Sequence, residues 1–151
     1  MRTCWLVILA LVFVVGCGPQ RPAPAGRQVV ATAEAPAAIG PYSQGIKVGN
    51  MLFTSGQIPI DPATGQLVTG TIEEQTRRVL DNLGAVLKAA GMDFGDVVSA
   101  TVYMDDIANY PRINAVYAEY FPQDPPARCA MQVARLPKGA AVEIALVAVK
   151  D

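Results

Sequence analysis

The chain has 151 residues, with 12 lysines and arginines against 13 aspartates and glutamates, no histidine, and a formal net charge of −1 at pH 7. Its basic residues are dispersed, which excludes the positive stripe of a nucleic-acid surface. The missing histidine removes Ser-His and Cys-His nucleophile systems and argues against Cys/His metal centres.

Taken in chain order, Arg2 precedes an uninterrupted apolar run from Trp5 to Val15. That run is shorter than the ~20 residues of a membrane-spanning helix and suits the apolar part of a signal peptide. It ends in Val14-Val15-Gly16-Cys17, which resembles the lipobox of bacterial lipoproteins. The resemblance implies that residues 1–16 are a removed signal peptide and that Cys17 is lipidated. It further implies anchoring in the cell envelope, on the non-cytoplasmic side of a bacterial membrane. An ordinary secretory signal with a chance cysteine is the alternative. Residues 17–28 are rich in Pro, Ala, Gly and Gln and read as a tether, because such composition buries too little to offset ordering. With Cys4 lost and Cys17 lipidated, Cys129 is left alone, so no intramolecular disulfide is expected. It reads as a small buried hydrophobe.

Residues 29–151 make one domain of ordinary size. Its first strand begins near Gln28. Ile46-Lys47-Val48 and Met51-Leu52-Phe53-Thr54 flank Gly49-Asn50, a two-residue hairpin signal. Asp61-Pro62-Ala63-Thr64-Gly65 is a surface turn. Thr71 with Glu74 forms a capping-box pattern, and Val79, Leu83, Val86, Leu87 and Ala90 share one helical face that Gly91 terminates. Val97 to Met104 alternates as a strand. Asp105, Asp106 or Asn109 caps a second helix, with Pro111 in its first turn and Ile113, Val116, Tyr117 and Tyr120 on its apolar face. Pro122, Pro125 and Pro126 end it. Arg128 to Ala134 and Ala141 to Val149 are the last two strands.

This order predicts an α+β fold, a mixed six-stranded sheet with two helices on one face. In the last strand both faces are apolar except at Glu143, so the face away from the helices needs a cover. Copies of the same chain are the economical one.

Arg128 and Glu143 stand out because charged groups in apolar strand surroundings are costly unless they meet a ligand or a partner. By themselves they fit either a binding site or a structural ion pair.

Four strings together, Ala37-Ala38-Ile39-Gly40-Pro41-Tyr42-Ser43-Gln44-Gly45, Phe53-Thr54-Ser55-Gly56-Gln57-Ile58-Pro59, Pro126-Ala127-Arg128 and Val133-Ala134-Arg135-Leu136-Pro137-Lys138-Gly139, resemble the Rid family of RidA/YjgF-type reactive-intermediate deaminases. The resemblance implies a chorismate-mutase-like homotrimer with ligand clefts between subunits. It implies hydrolysis of 2-imino acids to 2-oxo acids and ammonia without metal or organic cofactor. The cleft residues it carries over are Tyr42, Ser55, Asn114, Arg128 and Glu143. Arg128 would bind the substrate carboxylate and Glu143 would position water, with Tyr42, Ser55 and Asn114 around the substrate. The chain departs from many family members at Ala130, where some have cysteine, and at Ala145, where many have a second acid. A cleft that only binds small carboxylates is the rival expectation.

Overall fold

The computed structural model describes residues 26–151. Residues 1–16, Cys17 and most of the expected tether lie outside them. Six strands form one sheet, β1 (Arg27–Val30), β2 (Gly45–Val48), β3 (Met51–Thr54), β4 (Val97–Met104), β5 (Ala127–Gln132) and β6 (Val142–Val149). Two helices accompany them, α1 (Ile72–Ala89) and α2 (Tyr110–Tyr120). The sheet order is β1-β2-β3-β6-β4-β5. All neighbours are antiparallel except β4 and β5, which run parallel with α2 as their crossover. The first strand takes in Arg27 and Gln28, the last two residues of the expected tether.

Local sequence accounts for most boundaries. Gly49 has φ of 60° at the first position of the β2–β3 turn, a conformation glycine adopts without a steric penalty. The capping box of α1 forms as the sequence predicts. Thr71 Oγ1 accepts the Glu74 amide at 3.3 Å, and Glu74 Oε2 accepts the Thr71 amide at 2.6 Å. At the start of α2, Asn109 makes no side-chain cap. Asp106 instead accepts the Ala108 amide at 2.9 Å and caps a short 3-10 turn over Ile107–Asn109.

The core lies between the helices and one face of the sheet. Val79, Leu83, Val86 and Leu87 of α1 are fully buried there, with Ile113 and Val116 of α2. From below they meet Leu52, Ala100, Val102, Met104, Val142, Ile144, Leu146 and Ala148. Strand alternation sends the intervening residues, among them Phe53, Thr101, Tyr103, Glu143, Ala145 and Val147, to the opposite face. In one copy that face is open, and it carries Val98 at 48% and Phe53 at 43% exposure. Cys129, in register with Thr101, is on it as well and is exposed, contrary to the sequence expectation. The pattern of β5 concealed this, because an edge strand of small apolar residues does not reveal which face meets the helices.

Candidate active site

The five expected cleft residues fall into two groups in one copy of the chain. Tyr42, Ser55 and Glu143 line a cavity of about 250 Å³ together with Pro36, Ile39 and Gly56. Asn114 and Arg128 line another of about 590 Å³ with Tyr110, Tyr117 and Phe121. Register explains the division. Arg128 is in register with Ala100 and shares its helix-side face, whereas Glu143 faces Tyr103 on the open side. The structural ion pair is therefore excluded within the chain: neither residue takes part in a salt bridge among the described residues.

In the first group, Glu143 is brought to the cavity by the segment after β3. Gln57 exchanges both backbone hydrogen bonds with Ile144, at 2.9 and 3.1 Å. That pairing lays Gly56 against Glu143 so closely that a Cβ there would stand 2.0 Å from Glu143 Oε1. Glycine at 56 is thus the opening that admits the carboxylate. Burial of Glu143 pushes its carboxyl up from the ordinary value, the direction that strengthens it as a base. Ser55 donates its hydroxyl proton to the Ser43 carbonyl at 2.6 Å. Its remaining capacity is as an acceptor, which suits an N–H of a substrate rather than a carbonyl. Tyr42 accepts the Ile39 amide at 3.2 Å and keeps its own O–H free to donate.

Gln44 supports this group, and sequence reasoning missed it. Its buried amide accepts the Thr32 N–H at 2.7 Å and donates to the carbonyls of Thr32, Ala35 and Pro36 at 3.0, 3.1 and 2.7 Å. These bonds fold the 32–36 loop against β2, and Pro36 then walls the cavity. The available signal was a glutamine directly before a strand of apolar residues, outside any helical period.

In the second group, Arg128 Nη2 donates to Asn114 Oδ1 at 2.8 Å and to Tyr110 Oη at 3.1 Å. The guanidinium carbon lies 4.6 Å from the Tyr117 ring centroid and 5.6 Å from that of Tyr110. Aromatic faces hold a guanidinium plane by cation–π attraction and fix its orientation. Tyr117 itself stacks on Phe121 at 4.4 Å, and burial pushes its phenol up to about 12. Asn114 thus acts here on Arg128. Tyr117, which the sequence offered only on a helix face, and Tyr110, which it did not single out, both border the guanidinium. Ala130 borders the same cavity, and its small side chain leaves that wall open.

Among the described residues no cluster of Cys, Asp or Glu is arranged to hold a metal ion, and no helix is long and apolar enough to cross a membrane.

Comparison with known proteins places the chain. The Endoribonuclease L-PSP family profile matches residues 32–150. A RutC family protein of Pyrococcus horikoshii is 52% identical over 125 residues, covering 83% of this chain and 99% of the relative. The 2-iminobutanoate/2-iminopropanoate deaminase of Bos taurus is 52% identical over 124 residues, covering 82% and 90%. Its human counterpart is 49% identical over the same length. Among solved structures, the YjgF gene product of E. coli superposes with a TM-score of 0.79 at 44% identity, covering 82% of this chain and 99% of that one. E. coli TdcF with bound serine gives 0.79 at 42% identity, with the same coverage. With its sheet order, two-helix layer and sequence all in agreement, the chain belongs to the Endoribonuclease L-PSP family of RidA/YjgF proteins.

Proposed function

We propose that this protein hydrolyses 2-imino acids to 2-oxo acids and ammonia, in clefts completed by neighbouring copies of the chain in a homotrimer. The observation that carries this reading is the division of the site. The Arg128 guanidinium and the half-buried Glu143 carboxyl sit on opposite sides of one sheet, and neither has an ion-pair partner among the described residues. The open apolar face supplies the surface for association, and cyclic assembly brings one copy's residues to another's. Relatives about half identical over most of the chain are named as 2-iminobutanoate/2-iminopropanoate deaminases, which supports the substrate class.

In this reading Arg128 grips the substrate carboxylate and fixes the imine carbon beside Glu143 of the adjoining copy. Glu143 takes a proton from water as the water oxygen bonds to that carbon, and the C=N π pair moves to nitrogen. Ser55 Oγ accepts an N–H of the iminium and orients it. The proton held on Glu143 is then delivered to the amine nitrogen. Collapse of the carbinolamine returns its hydroxyl proton to the Glu143 carboxylate as the C=O bond forms and the C–N bond breaks, expelling ammonia, and Glu143 then releases that proton to solvent. No covalent enzyme intermediate is needed.

The test generates imines in place with an amino-acid oxidase and follows their loss above buffer. Wild type accelerates it, and Arg128→Ala and Glu143→Ala each abolish the acceleration. No acceleration by wild type with several side chains would sink the deaminase.

A second reading has one specific support, the related TdcF structure with bound serine. In it the same cleft only binds small carboxylates. Binding of 2-oxo acids without any imine hydrolysis is its signature.

The leader belongs to the proposal too. The apolar run ending at Cys17 supports a lipoprotein of the cell envelope, with residues 17–28 as tether and residues 29–151 as the working domain. Intact mass of membrane-extracted protein beginning at an acylated Cys17 is the expected result. A mature N-terminus elsewhere would refute it.

A further inference from the structure

Arg128 is already occupied at the nitrogen a carboxylate most needs. A guanidinium offers two planar forks, Nη1 with Nη2 and Nε with Nη2, because the Cδ stem blocks the third side. Nη2 is common to both. It carries two hydrogens, and these go to Asn114 Oδ1 at 2.8 Å and Tyr110 Oη at 3.1 Å. A carboxylate bound through two parallel hydrogen bonds must therefore displace one of these acceptors.

The two acceptors are unequal. The Asn114 bond is the shorter and is partly buried, and the amide sits a full turn inside α2. The Tyr110 bond is longer and exposed. Tyr110 is the first residue of α2, is 37% exposed, and has solvent into which its ring can turn. Meanwhile the Tyr117 face keeps the guanidinium plane in place whichever acceptor leaves.

We propose that Tyr110 is a specificity-determining latch, whose hydroxyl holds the Nη2 position of Arg128 until a substrate carboxylate displaces it. The latch raises the threshold for a carboxylate bound through two oxygens, whereas a ligand with one acceptor oxygen takes Nε or Nη1 and leaves the latch closed. The proposal rests on the reading of Arg128 as the carboxylate grip. It adds a residue that opposes binding, where Asn114 and Tyr117 support it.

The test is calorimetric titration of the full chain with 2-oxobutanoate and with its neutral amide, 2-oxobutanamide. Tyr110→Phe keeps the ring and removes the hydroxyl at an exposed position. It should tighten 2-oxobutanoate binding by roughly threefold to tenfold, the worth of one net hydrogen bond. Binding of the amide should be unchanged, and the KM for the imine should fall by the same factor with kcat held. Unchanged or weaker oxo-acid binding would overturn the latch and make Tyr110 a support for Arg128. Tightening shared equally by the amide would overturn it as well, since that reports a wider cavity. Arg128→Ala separates the two levels. Full carboxylate affinity in that variant defeats the underlying grip, whereas lost affinity alongside an unimproved Tyr110→Phe defeats the latch alone.

Discussion

Arg128 and Glu143 point away from each other through the sheet. Arg128 shares the helix-side face with Ala100, and Glu143 shares the open face with Tyr103, with β4 between their strands. A side chain on one face of a pleated sheet does not reach a partner on the other. In the proposed function, that opposition makes a single chain two half-sites.

Replacing Arg128 by lysine keeps the charge and loses the fork. The ammonium cannot make two parallel bonds to a carboxylate or lie flat on Tyr117. The expected result is a fall in kcat/KM of roughly 10- to 100-fold, carried mainly by KM. Steady-state kinetics on an imine made in place measures it.

Glu143→Gln separates chemistry from stability. Loss of the proposed base should lower kcat by roughly 10²- to 10⁴-fold. Its effect on stability has the opposite sense. The folded-state pKa of Glu143 is raised by burial, so the native state holds its proton more tightly than the unfolded chain does. The penalty of the charged form is therefore absent below the unfolded carboxylate pKa and fully present above the folded one. At pH 7 the glutamine variant should melt higher than wild type by about 1–3 °C. The gap should close as the pH falls through the carboxylate range. Thermal denaturation between pH 4 and 7 tests the sign, and a variant that melts lower at pH 7 contradicts it.

Gly56→Ala places a methyl carbon 2.0 Å from Glu143 Oε1, far inside van der Waals contact. The carboxylate must move, and a displacement of about 1 Å costs on the order of 10²-fold in rate. We expect kcat to fall by about that factor with KM nearly unchanged. A kcat within threefold of wild type would mean that the position of Glu143 is not critical.

Gln44→Ala removes the bond accepted by Oε1 and those that the two Nε2 hydrogens share among three carbonyls of the 32–36 backbone. Orphaned backbone groups there should cost about 2–4 kcal/mol, read as a lower urea midpoint at unchanged slope. Because Pro36 walls the Glu143 cavity, activity should fall before the domain unfolds.

The sequence was most legible where local chemistry alone decides structure. Thr71 with Glu74, Gly49-Asn50, and the stripe of Val79, Leu83, Val86 and Leu87 each specify their element through contacts within a few residues. Strand facing is different. Alternation shows that neighbouring residues part, but not which of them meets the helices. That is why Cys129 was expected inside and lies outside. The same gap hid the opposition of Arg128 and Glu143, which follows from pairing registers over long sequence separations. Asp106 rather than Asn109 makes the cap before α2, because the chain tightens into a 3-10 turn first. Gln44 went unnoticed because its partners are backbone groups of a loop, and those leave no side-chain pattern.

The most direct test of a site shared between copies is a mixed assembly of two inactive chains. Arg128→Ala and Glu143→Ala variants are co-refolded in equal amounts and assayed against 2-iminobutanoate. If each cleft takes its arginine from one copy and its glutamate from another, about one in four random pairings unites the two intact residues. The mixture should then recover about a quarter of wild-type activity from two inactive parents. Activity no higher than that of either parent would contradict the divided site.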